Sequence, residues 1–461
     1  MQRLLAITWL TWKAAFRFRL FLVIAVLLLL SVVGLPVLIK DDGTARGFTQ
    51  ILLTYTLSTI TALLGLSTLW LACGTLARDI EECQMQVVAV KPVARWQIWL
   101  GKWLGIVTLD AALLALSGAS VYALLQWRAT RLPPKEQHVL RNEVLVSRGA
   151  AHPRNFEREI EQETERQVQA KLKANPGLRS DLAEVRHQIR ESLKAGLQVV
   201  PPGQGKGWKI NLGLAKNHLH GQPLYIRAKF NSAEKSPSGT FVGIWAVGDP
   251  NTKHYWESGP KSLAPDTYHE FEIPPDLFDE DGTLTIIFGN MNNTTLLFPL
   301  KDGMEVLYRE GSFAMNYVRA LGIILCWMGL LAALGLTASS FLSFPVAAFF
   351  SLAMLTMALS SGSLSSAISE GTLLGADAQT GRLNHPVLDA IMIPVFQGML
   401  AVINMAKDYS PIDALSSGRS IPWLVLLRAI GSIVLVLGGI IGGIGIVCFT
   451  RRELATAQGT Q

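Results

Sequence analysis

The charged side chains between residues 77 and 105 are the first candidates for chemistry in this chain. They lie in a short polar and basic segment between two long apolar runs. Carboxylate, ammonium and guanidinium groups form charge-assisted hydrogen bonds, so such a segment can bind a partner surface of complementary charge. The acidic members are Asp79, Glu81 and Glu82, and the basic members are Lys91, Arg95 and Lys102.

A second set of candidates lies inside the apolar runs. Asp110 follows Lys102 by eight residues, or about 12 Å of helix, and an ionisable group at that depth in a membrane is costly enough to suggest a function. The hydroxyl groups of Thr54, Ser58 and Thr61 could line a translocation path with it. The alternatives are a hydrogen-bonded packing role for Asp110 near the interface, and hydroxyl groups that hold helices together.

Three aromatic residues form a third set. Trp245, Tyr255 and Trp256 could build a platform on which a carbohydrate stacks. The alternative, which we favour, is that they pack in a core or at its edge, because aromatic residues at alternating positions are ordinary core residues.

Catalytic and metal-binding sites are not expected in this chain. The eight histidines are scattered outside the apolar runs, so no cluster of histidine with carboxylate or serine is predicted. The four cysteines show neither a disulfide framework nor the spacing of a metal site. Three of them lie in apolar runs and one in the charged segment: Cys73, Cys326, Cys448 and Cys83.

Composition indicates the elements that must position these residues. Half of the 461 residues are hydrophobic and only 16% are charged, and the mean hydropathy is +0.32, which is typical of a polytopic membrane protein. A helix needs about 20 apolar residues to cross the hydrocarbon. Six runs meet this requirement and predict six transmembrane helices: residues 18–39, 51–76, 103–127, 316–336, 341–361 and 421–450.

Lysine and arginine residues beside the spans predict the orientation. With a cytoplasmic N-terminus, the three cytoplasmic segments carry ten basic and four acidic residues, and ten minus four equals the net charge of +6. The excess is therefore a positive-inside signature, and no nucleic-acid partner is predicted. We expect a multi-pass protein of the bacterial cytoplasmic (inner) membrane, with both termini in the cytoplasm.

The flanking segments need separate interpretations. The N-terminal stretch, residues 1–19, predicts an amphipathic helix at the membrane interface, and the absence of a small-x-small cleavage site argues against a cleaved signal peptide. Residues 387–405 are apolar, but they contain Asp389, Pro394, Gln397 and Asn404. We interpret them as a re-entrant or interfacial helix on the outer face, because a seventh crossing would move Arg451 and Arg452 outside.

Residues 128–311 predict an extracytoplasmic α+β domain inserted between the third and fourth spans. Its first part, residues 135–196, is charged and indicates a helical hairpin joined at Asn175-Pro176-Gly177. Its second part, residues 208–308, contains short alternating segments separated by turn residues, which predicts a jelly-roll-like β-sandwich.

Two motifs in the predicted membrane part resemble the permease subunits of type-2 ABC exporters. The first is the charged segment itself, with an acidic cluster, a "KPVAR" element and a "GK" pair that opens the next helix. The second is the end of the chain, FTRRELA, at residues 449–455. The matched positions of the first motif are Asp79, Glu81, Glu82, Lys91, Pro92, Arg95, Gly101 and Lys102. The inserted domain departs from this pattern, so the resemblance implies little about substrate.

The resemblance implies a transporter in which this chain is the membrane-spanning subunit. No G-x-x-x-x-G-K-[ST] motif is present, so ATP and Mg²⁺ are expected on a separate cytoplasmic ATPase subunit. A coupling helix near residues 79–90 would dock on that ATPase, and a second permease copy would complete the assembly. The alternative is a non-transporting anchor that displays a glycan- or protein-binding sandwich.

Overall fold

The structure is a computed structural model of the 461-residue chain. It describes residues 2–17, 19–38, 45–82, 93–131, 133–140, 144–174, 182–232, 234, 236, 238–249, 254–300, 302–362 and 386–452. The chain divides into two compact units, one formed by Met1–Val146 with Ser312–Gln461 and the other by Ser147–Gly311.

Thirteen helices occur among the described residues. In chain order they are α1 Gln2–Arg17, α2 Arg19–Leu38, α3 Ala45–Glu81, α4 Arg95–Ala129, α5 Pro134–Val139, α6 Glu157–Ala174, α7 Leu182–Gln198, α8 Lys216–Leu219, α9 Phe313–Phe341, α10 Phe344–Leu359, α11 Pro386–Lys407, α12 Pro411–Ser416 and α13 Trp423–Arg451. The middle of α13, Ile430–Gly438, is π-helical.

Four of these helices are long and apolar enough to cross a membrane. They are Thr49–Glu81 of α3, and α4, α9 and α13, so the chain is a membrane protein by the length and composition of its helices. The other two predicted spans correspond to α2 and to α10, which has only 16 residues, and they are not confirmed as crossings. Residues 386–407 form one continuous helix, α11, with Pro394 inside it; whether it is re-entrant or interfacial stays a prediction.

Helix α9 lies at the centre of the helical unit. It packs against α3, α4, α10 and α13, and most of its residues are buried. Small residues permit close approach: a Cβ added at Gly335 of α9 would lie 2.7 Å from the Cβ of Ala72 in α3. Close backbone approach through glycine and alanine is the usual means of packing helices in a membrane, where burial of apolar surface adds little.

The second unit contains a β-sandwich. Its strands are β1 Val146–Ala151, β2 Val199–Val200, β3 Gly205–Asn211, β4 Leu224–Ala228, β5 Asn231–Ser232, β6 Phe241–Gly248, β7 Tyr255–Leu263, β8 His269–Ile273, β9 Thr283–Asn290, β10 Leu296–Leu297 and β11 Met304–Ser312. The two larger sheets have the orders β1-β11-β4-β8 and β3-β9-β6-β7. Counted over these eight strands, the orders are 1-8-3-6 and 2-7-4-5, the arrangement of a jelly roll.

One core holds the two larger sheets together. Side chains from both sheets form a single buried cluster, in which Trp245 of β6 lies 5.4 Å from Phe271 of β8 between ring centroids. The alternation of buried and half-buried residues along β6 and β9 is the pattern that places one strand face in such a core. The sequence predicted this sandwich, but it missed β1.

The predicted hairpin begins later than expected. Residues 135–196 were predicted to form it throughout, whereas α5 and β1 occupy the first part and the paired helices are α6 and α7. Arg186 of α7 pairs with Glu165 of α6, and Arg190 Nε lies 3.9 Å from a Glu161 oxygen. The expected joint at Asn175-Pro176-Gly177 lies outside the described residues.

Candidate functional site

An ion pair joins the end of α3 to the start of α4. The Lys102 Nζ donates to Asp79 Oδ2 at 2.6 Å and to the Thr75 carbonyl at 2.9 Å. Lys102 is buried, whereas the Asp79 side chain keeps 33% of its surface exposed. Two charges from the predicted coupling segment therefore bind each other within this chain.

Arg95 binds the end of α13. Its Nη1 donates to the carbonyls of Phe449, Thr450 and Arg452 at 2.8, 2.9 and 2.7 Å. The last carbonyls of a helix have no partner within the helix, and a cation there also stabilises the negative end of the helix dipole. Arg95, the last residue of the "KPVAR" motif, thus contacts the described part of the "FTRRELA" motif, which begins 354 residues later at Phe449.

Two more contacts extend this arrangement to α9 and α10. Glu81 Oε1 accepts a hydrogen bond from the backbone N–H of Phe344, the first residue of α10, at 2.9 Å. The Arg452 Nη1 donates to the Ser340 carbonyl near the end of α9 at 3.2 Å. We call the set Asp79, Glu81, Arg95, Lys102 and Arg452 the helix-end cluster, because it connects the ends of α3, α4, α9, α10 and α13.

Gly101 permits the N-terminal helix to approach α4. A Cβ added at Gly101 would lie 2.8 Å from the Ile7 side chain, and one at Gly105 would lie 2.6 Å from Thr11. The Trp12 Nε1 also donates to Thr108 Oγ1 at 2.9 Å. The amphipathic N-terminal helix therefore packs lengthwise on α4, which the sequence did not predict.

The predicted coupling helix differs from the observed end of α3. Asp79 and Glu81 belong to the last turn of α3 and do not begin a separate helix, because α3 continues without a break to Glu81. Glu82 follows and is exposed. Lys91, Pro92 and Cys83 lie outside the described residues.

Asp110 is buried in the middle of α4. It is 2% exposed, and its Oδ2 lies 2.9 Å from Thr68 Oγ1 in α3. The Thr68 hydroxyl also lies 2.7 Å from the Leu64 carbonyl. One hydroxyl hydrogen is therefore shared between two oxygen acceptors, and the Met328 sulfur lies 3.7 Å from the same hydroxyl.

The three hydroxyl residues predicted beside Asp110 are not brought to it. Thr54 and Thr61 are half-buried on α3 and Ser58 is exposed, and the cleft beside Asp110 is lined by Ser67 and Thr75 instead. The Thr61 Oγ1 is buried without a hydrogen-bond partner among the described residues. The sequence did not predict Thr68, whose hydroxyl group Asp110 does contact. The only sequence feature that indicates Thr68 is its position in the hydroxyl-containing apolar run that forms α3.

The hypothesis that Trp245 belongs to an exposed aromatic platform is wrong. This residue is fully buried between the two sheets, and its ring centroid lies 4.7 Å from that of Phe288. Trp256 is half-buried and stacks near Phe271 at 6.4 Å, whereas its neighbour Tyr255 is 39% exposed. Neighbouring strand residues point to opposite faces, so the three rings do not share one surface.

No group of three or more histidine, cysteine, aspartate and glutamate residues could hold a metal ion within the part of the chain that the structure describes. Cys73, Cys326 and Cys448 are free thiols. A scan against protein-family models and searches of curated proteins and of solved structures find no match to this chain. The resemblance to type-2 ABC permeases therefore rests on the residues of this sequence alone.

Proposed function

We propose that this chain is the membrane-spanning permease subunit of an ATP-driven transporter of the ABC-2 type. Residues 77–102 would couple it to a separate cytoplasmic ATPase subunit that binds ATP and Mg²⁺. The assembly would be an exporter or an envelope-remodelling system in a bacterial cytoplasmic membrane, with two permease copies and residues 128–311 outside.

The observation that carries this proposal is the helix-end cluster. Residues 83–94 lie between Glu82 and the start of α4 at Arg95, and both flanking helix ends are fixed to other helices by charged contacts. Through Arg95 and Glu81 the same ends are bonded to α13 and α10. A displacement applied between these two helix ends would thus move several helices together, as a transmission element between an ATPase and the membrane part must do.

The contacts also determine which substitutions can test ATPase binding. Reversing the charge of Asp79, Glu81 or Arg95 would break bonds within the chain, so lost binding would not identify a docking surface. Trp96, in the first turn of α4, is 47% exposed, and Trp127, near the other end of the same helix, is 50% exposed. The two residues are about 46 Å apart along the axis and form a matched pair.

The experiment isolates the tagged full chain from membranes of its source organism and identifies co-purifying proteins by mass spectrometry. We expect a subunit with a G-x-x-x-x-G-K-[ST] motif to co-purify with the wild type and with Trp127→Ala. Trp96→Ala should retain about a tenth or less of it, since an exposed tryptophan at an interface centre is often worth 2 kcal/mol or more.

Two outcomes would reject the proposal. Equal recovery of the ATPase with Trp96→Ala and Trp127→Ala would show that residues 77–102 are not the docking segment. The absence of any such ATPase from the wild-type complex would reject a transporter subunit and favour an anchor that displays the sandwich.

A further inference from the structure

A cleft of about 240 Å³ lies between α2, α3 and α4. Its walls are largely apolar and include Ile24, Trp70, Leu71, Leu109 and Leu113. Along α3 the lining extends from Ser67 to Arg78, which is about 16 Å of helix. The cleft is therefore elongated and suited to an alkyl chain or another extended apolar group.

Asp110 is the acidic residue in the lining of this cleft, and Arg78 is the basic one. Asp110 is 2% exposed. A carboxylate offers about four lone-pair sites, and a buried one is stable only when they receive donors. Among the described residues, Asp110 has only the hydroxyl hydrogen of Thr68, which the Leu64 carbonyl also faces.

The missing donors indicate the chemistry of the ligand. An ammonium group has three donors and no acceptor, and its charge complements the carboxylate. The geometry points to a binding site for an amphiphilic amine, with the ammonium group on Asp110 and the apolar body along Leu71, Leu109 and Leu113. Calling this amine the cargo rests on the proposed transport function, but its binding needs no ATPase.

Arg78 lies at the end of the cleft remote from Asp110. Its guanidinium carbon lies 4.7 Å from the centroid of the Phe344 ring, and about 15 Å of helix separates it from Thr68. A fatty acid with the same number of carbon atoms as the amine could approach the Arg78 cation. Such a fatty acid is therefore the proper comparison compound for the test.

The experiment uses the full chain in nanodiscs of phosphatidylcholine and measures the Kd of dodecylamine by titration calorimetry. We expect Asp110→Asn to weaken binding at least tenfold, which corresponds to about 1.4 kcal/mol. Ser117→Ala is the matched control, because Ser117 is equally buried on α4 but does not line the cleft. It should leave the Kd unchanged.

Dodecanoate should bind the wild type more weakly than dodecylamine and should be insensitive to Asp110→Asn. Equal affinity for the two compounds, or an unchanged Kd for dodecylamine in Asp110→Asn, would overturn the proposal. These results do not depend on Trp96, so failure of the ATPase experiment and failure of this one are separate findings.

A second measurement needs only the wild-type protein and tests the site even if the Asp110→Asn variant does not fold. Dicyclohexylcarbodiimide modifies carboxyl groups in apolar surroundings, and peptide mass spectrometry reports its rate of reaction with Asp110 in the wild type. Dodecylamine should slow this reaction severalfold and dodecanoate should not; equal rates would overturn the site. Slowing by phosphatidylethanolamine added to the nanodisc would identify a lipid headgroup as the source of the ammonium.

Discussion

Lys102→Met should destabilise the helical unit, and removing Asp79 as well should restore most of the loss. Methionine keeps the apolar stem of lysine but removes the ammonium group. The substitution therefore deletes the 2.6 Å bond to Asp79 Oδ2 and the 2.9 Å bond to the Thr75 carbonyl. Asp79 then keeps its charge without its partner at the end of α3.

The expected magnitude follows from the exposure of the two side chains. Breaking one partner of a fully buried ion pair costs about 3–5 kcal/mol. The Asp79 side chain is 33% exposed and Lys102 only 9%, so water partly solvates the remaining carboxylate. We therefore expect a loss of about 1.5–3 kcal/mol for Lys102→Met. The double variant Asp79→Leu with Lys102→Met should lie within about 1 kcal/mol of the wild type, since an apolar pair can replace a buried ion pair.

Unfolding in mixed micelles of increasing dodecyl sulfate content, followed by helical circular dichroism, measures these free energies. Arg154→Met is the control, because Arg154 and Glu159 form a pair at 2.6 Å whose side chains are 76% and 47% exposed; its cost should be below about 1 kcal/mol. Additive effects of the two cluster substitutions would show that the Asp79–Lys102 pair contributes no coupling energy and would refute the reasoning.

Three further outcomes are expected. Arg95→Gln should lower the unfolding free energy by about 1–3 kcal/mol in the same micelle assay, because three helix-end carbonyls lose a charged donor; no change would contradict the capping role. In the soluble fragment of residues 147–311, Trp245→Ala should cost about 3–5 kcal/mol in urea unfolding, whereas the exposed Tyr255→Ala should cost less than about 1 kcal/mol. Burial lowers the pKa of Lys206 to about 8, below its usual value near 10.4. The unfolded fragment then binds the proton more readily, so stability should rise with pH between about 8 and 10, and Lys206→Met should abolish that rise.

The features that the sequence predicted best depend on local pattern. Four of the six apolar runs coincide with helices of crossing length, because hydrophobic length is read from consecutive residues. The sandwich strands β6 and β9 follow from their alternation. Burial of Trp245 agrees with the favoured alternative, since an aromatic residue on the inward face of a central strand belongs to the core.

The features that it missed depend on contacts between distant segments. Strand β1 is stabilised by pairing with β11, and nothing in residues 146–151 shows that partner. The helix-end cluster likewise required the chain end to return to Arg95. The end of α3 was placed too early because charged residues were taken to begin a new helix, whereas Asp79 is stabilised there by Lys102, from the following span.

Helix α3 has the dimensions of a lever. Its 37 residues extend about 55 Å, well beyond a hydrocarbon layer of about 30 Å. Its bond to Asp110 at Thr68 lies about 20 Å from Glu81 and about 35 Å from Ala45. If α3 tilts as a rigid rod about that point, a movement of 1 Å at the Glu81 end becomes nearly 2 Å, in the opposite direction, at the Ala45 end. The position of the buried Asp110 carboxylate along α3 would then determine the ratio between the movements of the two ends of the helix.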